Sequence, residues 1–131
     1  MTSDRQRVLG IGGVFLRSPD PDRLAEWYGT HLGIDVHADF SGGTFPLTAE
    51  REPTGSYVVW SAFPADTEYF GAAAQQAMIN FRVRDLDAML DQLRAGGCDV
   101  ATEREDGEFG RFGWVIDADG NRVELWEPPD T

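Results

Sequence analysis

The segment DADGNRVELWEPP (residues 117–129) places a glutamate, Glu124, between apolar neighbours in a predicted strand. Because side chains alternate between the two faces of a strand, Arg122, Glu124 and Trp126 are expected on one face and Val123 and Leu125 on the other. A carboxylate beside an aromatic ring is costly to bury unless a partner compensates its charge. Glu124 is therefore either a solvated surface charge or a group with a chemical role.

The elements that would position Glu124 come from an internal repeat. GGVFLRSPDPDRLAEWYGTHLGIDV (12–36) aligns with AMINFRVRDLDAMLDQLRAGGCDV (77–100) after one single-residue slip. Each segment begins as a strand and continues, through an Asp that can cap it, as a helix. The aligned aspartates are Asp20 with Asp85 and Asp22 with Asp87, and Gly33 and Gly96–Gly97 are typical helix ends. Helical spacing predicts two apolar faces, formed by Leu24, Trp27, Tyr28 and Leu32 in the first helix and by Leu86, Met89, Leu90 and Leu93 in the second.

Short extended segments follow each predicted helix. They cover about residues 36–40, 44–48 and 57–63 in the first half, and 99–105, 112–116 and 122–127 in the second. The predicted unit is therefore β-α-β-β-β, used twice in an α+β fold: two units form a cupped mixed sheet with the helices outside. We expect a single domain over residues 1–131, with module one at about 7–63, a polar bridge at 64–76 and module two at about 77–128.

The charge balance argues against several classes of partner. The 131 residues include 23 acidic and 11 basic ones, which gives a formal net charge of −12. This charge repels the phosphates of nucleic acids and anionic lipid headgroups, so we expect neither nucleic acid nor membrane as a partner. The acidity either serves solubility or attracts cationic small molecules.

Cysteine content and hydropathy favour a cytoplasmic location. The one cysteine, Cys98, can form no internal disulfide, supplies no zinc cluster and is interpreted as an ordinary small apolar residue. No segment approaches the roughly 20 apolar residues that a membrane span needs. The first ten residues, MTSDRQRVLG, contain no apolar region of the kind that a secretion signal requires.

Three motifs carry a family resemblance over nearly the whole chain. GGVFLRSPDPDRLAEWYGTHLGI, INFRVRDLDAMLDQLRAGG and DADGNRVELWE together resemble the vicinal oxygen chelate superfamily, which includes glyoxalase I, extradiol dioxygenases and bleomycin-resistance proteins. The resemblance implies paired βαβββ modules, a cupped sheet and a homodimer. It does not fix the function, which depends on the residues of the site.

Metal-using members of that superfamily hold a divalent ion with four His or Glu side chains, one near the start and one near the end of each module. The resemblance matches these positions to Gly13, to Met78, to one of Val58, Val59 and Trp60, and to Glu124. Only Glu124 is a suitable ligand, and one carboxylate does not retain a catalytic metal. His31 and His37 are expected to be surface or packing residues. The resemblance thus implies a metal-free branch without a cofactor, similar to bleomycin-resistance-like proteins.

The same resemblance places Glu124 inside the cup. The candidate ligand-binding residues are Phe15, Arg17, Trp60, Asn80, Arg82, Phe112, Trp114, Glu124 and Trp126, with Phe63, Tyr69 and Phe109 as further aromatic candidates. Three roles for Glu124 remain open. It is a permanent ion-pair partner of Arg17 or Arg82, a transient partner of a cationic or hydrogen-bonding ligand, or a general base whose pKa is raised by apolar walls.

The leading functional hypothesis is a metal-free protein that binds a small cationic or aromatic molecule in an apolar cup. The alternative is a metal-independent lyase or isomerase with Glu124 as the acid or base. A third hypothesis, a subunit that only dimerises or regulates a partner, predicts a cup filled by its own side chains. The segment EREDGEFGRFGW (103–114) is predicted to form either a mobile lid or a long hairpin turn.

Overall fold

The computed structural model describes residues 5–46, 57–72 and 74–129. Within these residues, eight strands form one sheet and two helices pack against it. The elements are β1 (Val8–Ser18), α1 (Pro21–Leu32), β2 (Gly42–Pro46), β3 (Tyr57–Pro64), β4 (Ala77–Val83), α2 (Leu86–Ala95), β5 (Asp99–Val100), β6 (Glu105–Gly107), β7 (Gly110–Ile116) and β8 (Arg122–Glu127). The predicted α+β class and curved sheet are confirmed.

The sheet has the strand order β2-β3-β1-β4-β8-β7-β5, with β6 paired to β7. In each module the first strand pairs in parallel with the last, β1 with β3 and β4 with β8. The antiparallel pairing of β1 with β4 joins the two modules. The internal repeat of the sequence therefore corresponds to a repeat of strand pairing, and β8, which carries Glu124, lies near the middle of the sheet.

The second helix begins after a capping Asp and ends at a glycine, as its sequence predicts. The Asp85 side chain accepts a hydrogen bond from the Ala88 backbone N–H, and Gly97 leaves the helix with a φ of 81°. The apolar face of α2 packs against the convex face of the sheet, where it meets Val123 and Leu125 of β8. The cluster consists of Val83, Leu86, Met89, Leu90 and Leu125, with Phe81, Leu93, Val100, Val115 and Val123 around it. This packing fixes which face of β8 is left for Glu124.

The first helix departs from its predicted apolar face. Asp20 caps α1 and Gly33 ends it with a φ of 72°, as predicted. Trp27 and Leu32, however, are 51% and 61% exposed, and the buried side of the helix centres on Ala25. Of the predicted face, Leu24 and Tyr28 are partly buried, and the Tyr28 ring packs against Trp60 of β3 with a centroid distance of 4.2 Å.

Three predicted strands are different in the structure. The strand predicted at 99–105 is present only as Asp99–Val100, and β6 begins at Glu105. Residues 36–40 form no strand apart from a single bridge between His37 and Gly42, so the strand predicted there is wrong. The strand predicted at 44–48 is present as Gly42–Pro46, and Leu47 and Thr48 lie outside the described residues. The segment 103–114 forms a hairpin of β6 and β7, in agreement with the second of its two interpretations. Neither helix of the described chain has the length and apolarity needed to cross a membrane.

Candidate functional site

Glu124 lies in a row of residues that the sheet register aligns across neighbouring strands. Asn80 of β4 pairs with Glu124, and Trp114 of β7 pairs with it from the other side. Gly13 of β1 pairs with Asn80 and, on its other edge, with Val59 of β3. Paired residues point to the same face, so this row crosses the concave face of the sheet opposite the helices.

The Glu124 side chain is 1% exposed and accepts three hydrogen bonds. The Asn80 side-chain amide donates to Oε1 at 2.6 Å, and the Trp114 indole N–H donates to Oε2 at 2.9 Å. The Tyr69 hydroxyl donates a short hydrogen bond to the same Oε2. All three donors are neutral, and within the described residues no ion pair includes Glu124. Among the described residues, this carboxyl is therefore buried without a cationic partner.

Burial raises the pKa of Glu124 above its ordinary value, and the hydrogen bonds from Tyr69, Asn80 and Trp114 oppose this shift without cancelling it. Burial, followed by the nearby Glu124 carboxyl, also raises the pKa of the Tyr69 phenol far above its ordinary range. The phenol consequently keeps its proton and remains a hydrogen-bond donor at every physiological pH.

The bridge between the modules fills the concave face beside Glu124. Phe70 is fully buried there with Phe15, Met78 and Trp114, while Tyr69 is only partly buried. The Tyr69 ring stacks on Phe63 with centroids 5.4 Å apart. Two open clefts, of about 530 and 440 Å³, lie along α1 and at its start, and Glu124 lines neither of them. The environment of Glu124 is thus closed by this chain's own side chains, which is the filled cup that the third hypothesis, a subunit that only dimerises or regulates a partner, predicts.

The Arg17 side chain contacts the bridge and does not pair with Glu124. Its guanidinium donates to the carbonyl oxygens of Ala65 and Thr67 at 2.8 Å, of Ala72 at 3.0 Å and, through Nε, of Gln75 at 2.6 Å. Its Cζ also lies 5.0 Å from the centroid of the Phe70 ring. The expectation that Arg17 pairs with Glu124 is therefore wrong, because its donors are directed to backbone carbonyls on both sides of Tyr69.

The remaining candidates divide between the two faces of the sheet. Trp60 is on the convex face, where its ring lies 4.2 Å from that of Tyr28 of α1, so its assignment to the cup is wrong. Phe112 and Trp126 stack in parallel on the concave face at 6.0 Å. The Trp126 indole N–H donates to the Phe109 carbonyl at 2.7 Å, and buried Arg82 donates to the Ile11 carbonyl. Arg82, Phe112 and Trp126 form a row next to that of Glu124, two residues further along β8.

Tyr69, one of the further aromatic candidates, is a direct partner of Glu124, and this contact could not be predicted from the sequence. It lies 55 residues before Glu124 in the polar segment PADTEYFGAAAQQ, which indicates a linker. The only signal is the adjacent aromatic pair, Tyr69 and Phe70, in an otherwise polar or small-residue stretch. Among the predicted site residues, the structure brings Asn80, Trp114 and Glu124 into direct contact and places Phe15 beside them.

The row around Glu124 does not fit a metal centre. The resemblance matches one ligand position to Met78, but the sheet register places Asn80 beside Glu124. Of Val58, Val59 and Trp60 in the last strand of module one, the register places Val59 in this row. No group of three or more His, Cys, Asp or Glu side chains lies together in the described part of the chain. Gly13 also has no room for a ligand, since a Cβ there would lie 2.6 Å from the Val59 carbonyl oxygen.

We predict that Gly13→Ala lowers the free energy of unfolding by about 2 kcal/mol, because the added methyl must displace the β3 backbone in a closely packed sheet. Gly107→Ala is the matched control, since a Cβ at Gly107 meets nothing within 4 Å. Urea unfolding of the two variants and the parent chain measures both effects. Equal stabilities for the two variants would show that the sheet leaves room at Gly13 after all.

Comparison with known proteins identifies one matching family and several solved structures with a similar fold. A family model described as the Glyoxalase/Bleomycin resistance protein/Dioxygenase superfamily matches residues 10–125. No curated protein matches the chain. A methylmalonyl-CoA epimerase from Mycobacterium tuberculosis is 28% identical, with 93% of this chain and 89% of that chain covered and a TM-score of 0.61.

Two further solved structures show the same fold at lower identity. A methylmalonyl-CoA epimerase variant from Streptomyces coelicolor, in complex with 2-nitronate-propionyl-CoA, is 18% identical over 93% of this chain and 99% of that chain, with a TM-score of 0.72. A superfamily member from Vibrio splendidus 12B01 is 14% identical over 94% of this chain and 99% of that chain, with a TM-score of 0.56.

Proposed function

Because the chain belongs to the Glyoxalase/Bleomycin resistance protein/Dioxygenase superfamily, we propose that it binds a small organic molecule on the concave face of its sheet, without a metal ion. Glu124 is the polar anchor of this site, and Phe15, Asn80, Phe112, Trp114 and Trp126 form its walls. Trp60 and Arg17 are not included, because their side chains are engaged elsewhere. In this proposal the chain is a single cytoplasmic domain.

The observation that carries the proposal is the buried carboxyl of Glu124. An ionisable group that is 1% exposed and bonded only to neutral donors reduces stability. Such groups are concentrated at functional sites, where a ligand or a reaction uses them. Aromatic walls with a few convergent polar groups are the usual environment of a small-molecule site.

Metal content is the first test. We predict that protein purified without a metal-affinity tag contains no stoichiometric nickel, zinc, iron or manganese, because Glu124 is the only suitable ligand in its row. Elemental analysis measures this directly, with the ligand affinity compared before and after dialysis against a chelator. One metal ion per chain, with binding lost when it is removed, would contradict the proposal.

A second candidate function is acid–base catalysis without a metal. The raised pKa of Glu124 favours it, since a carboxyl with a raised pKa exchanges protons more readily near neutral pH. The 28% identical solved structure is also an epimerase, which is an enzyme. In this mechanism Glu124 abstracts a proton from the bound molecule, and the Asn80 amide and Trp114 indole orient the carboxyl.

Glu124→Gln separates the two functions once a ligand is found by a thermal-shift screen of small molecules. In a binding protein the amide keeps the shape and most hydrogen bonds, so affinity falls only modestly. In an enzyme the same change removes the base, and turnover falls by about 10² to 10⁴-fold while ligand affinity is retained. If both affinity and turnover in Glu124→Gln are the same as in the parent for every compound found, Glu124 has no role at the site.

We also propose a homodimer, as the family resemblance implies. Exposed apolar side chains of the described chain, Val8 at 46%, Ile11 at 42% and Phe45 at 44%, are candidates for the contact. Sedimentation equilibrium at micromolar concentration is expected to give twice the chain mass. A monomer at all accessible concentrations would overturn this prediction.

A further inference from the structure

The Tyr69 side chain occupies a slot whose walls suit a phenol. The ring stacks on Phe63 with an interplanar angle of 14° and a centroid distance of 5.4 Å. It meets Trp114 edge to face, with an angle of 87° and a centroid distance of 5.7 Å. Its hydroxyl reaches the end of the slot and donates to Glu124 Oε2. These are the contacts that bind an aromatic ring with one hydroxyl group.

We propose that Tyr69 takes the place of the ligand, and that a small neutral phenol binds in this slot when the Tyr69 side chain swings out. The inference rests on the proposed function, because it names the ligand class of that same site. It also assigns a gating role to a residue of the bridge, which connects the two modules.

The structure makes Tyr69 the movable part of the bridge. Arg17 holds the carbonyl oxygens of Ala65 and Thr67 before it and those of Ala72 and Gln75 after it, so the backbone on both sides is anchored. The adjacent Phe70 is fully buried, whereas Tyr69 is partly exposed. A rotation about the side-chain bonds of Tyr69 therefore opens the slot while the bridge stays in place.

The polar end of the slot selects the hydroxyl. When Tyr69 leaves, Glu124 Oε2 keeps the Trp114 indole donor and loses the phenol donor. A ligand hydroxyl restores this hydrogen bond, whereas an ether or a plain hydrocarbon leaves Oε2 with one donor in place of two. A carboxylate on the ligand would bring a second negative charge close to Glu124. The preferred class is thus a neutral phenol.

The test uses p-cresol, which has the structure of the tyrosine side chain, and its methyl ether, 4-methylanisole, which cannot donate a hydrogen bond. Affinities are measured by isothermal titration calorimetry for the parent chain, Tyr69→Ala and Tyr69→Phe. We expect p-cresol to bind Tyr69→Ala at least about tenfold more tightly than the parent, because the competing side chain is gone. In Tyr69→Ala, 4-methylanisole should bind at least about tenfold more weakly than p-cresol.

Nuclear magnetic resonance locates the binding. The Trp114 indole N–H, which donates to Glu124, should shift on addition of p-cresol to the parent chain. The Trp60 indole N–H, whose ring packs against Tyr28 of α1 on the opposite face of the sheet, serves as the internal control and should not move. If Tyr69→Ala fails to fold, Tyr69→Phe carries the test. It keeps the ring but not the hydroxyl, so it should also bind p-cresol more tightly than the parent.

Two results would overturn the inference. One is equal affinity of Tyr69→Ala for p-cresol and its methyl ether, which would make the slot a plain apolar cavity. The other is no p-cresol binding to the parent chain at millimolar concentration, which would make Tyr69 a permanent part of the core. Either result leaves the proposed function standing if another compound binds with an affinity that depends on Glu124. The proposed function fails if no compound does.

Discussion

Replacing Glu124 with leucine is expected to lower the free energy of unfolding by about 3 kcal/mol more than replacing it with glutamine. Leucine removes the acceptor of three hydrogen bonds and leaves the Asn80 amide, the Trp114 indole and the Tyr69 hydroxyl without a partner at the buried end of the site. Each buried donor left in this way costs about 1–3 kcal/mol.

Glutamine can satisfy the same neighbours. Its carbonyl oxygen replaces Oε2 and accepts from Tyr69 and Trp114. Its amide then faces Asn80, whose Oδ1 has no hydrogen-bond partner among the described residues and can turn to accept it. We therefore expect Glu124→Gln to retain the packing of the parent chain and to lose only the charge.

The pH dependence of stability follows from the sign of the pKa shift. Burial raises the pKa of Glu124 in the folded chain, so the folded state holds this proton more strongly than the unfolded state does. The contribution of Glu124 is fully present below its unfolded pKa. It is lost as the pH rises from there through the raised pKa of the folded state. Glu124→Gln and Glu124→Leu lack this group and should not show that loss.

Urea unfolding of the three chains from pH 4 to pH 8 measures both effects. The difference between Glu124→Leu and Glu124→Gln should be the same at each pH, because neither side chain titrates. The parent should lose stability relative to Glu124→Gln as the pH rises. If Glu124→Gln is instead destabilised by about 3 kcal/mol at neutral pH, Glu124 is the partner of a buried cation and its assignment as a ligand anchor is wrong.

The face of β8 on which Glu124 lies could be predicted from the sequence, because alternation in a strand is a local rule. Val123 and Leu125 pack against α2, and Glu124 and Trp126 lie on the other face. The helix caps Asp20 and Asp85 were equally accessible, since a side chain that bonds a backbone N–H three residues later is a local feature.

The position of Trp60 could not be read in the same way. In the run YVVW a shift of one residue moves every side chain to the opposite face, and three successive apolar residues do not choose between the two registers. The pairing of Gly13 with Val59 makes the choice, and it places Trp60 against Tyr28 of α1. The same long-range register put Asn80, rather than Met78, beside Glu124.

The roles of Tyr69 and Arg17 depend on contacts that leave no local pattern. Tyr69 reaches Glu124 across 55 residues of sequence. One alternative paired Arg17 with the Glu124 carboxylate. Backbone carbonyl oxygens also accept hydrogen bonds from a guanidinium, and every residue of the bridge has a carbonyl oxygen. The fold gathers several of these carbonyls around one side chain, and only the path of the bridge in three dimensions shows this.

Replacing Arg17 with methionine is therefore expected to release the bridge and to lower the free energy of unfolding by about 3 kcal/mol or more. The change leaves the carbonyl oxygens of Ala65, Thr67, Ala72 and Gln75 without their charged donor. Methionine also removes the guanidinium from the Phe70 ring, so the loss reports on the hydrogen bonds and on this cation–π contact together. Arg17→Lys should fall between the parent and Arg17→Met, because an ammonium group cannot present the planar set of donors of a guanidinium.

Hydrogen exchange distinguishes release of the bridge from a general loss of stability. In Arg17→Met the amides of residues 64–76 should exchange faster by a larger factor than those of α2, which packs on the opposite face of the sheet. Arg94→Met is the control, since Arg94 forms an exposed ion pair with Asp91 within α2 and its loss should change stability by less than about 1 kcal/mol. Unchanged protection of residues 64–76 in Arg17→Met would show that Tyr69 and Phe70 hold the bridge without Arg17. In that case the swing of Tyr69 would have to move the backbone as well, because among the described residues only the Arg17 side chain donates to backbone carbonyls on both sides of it.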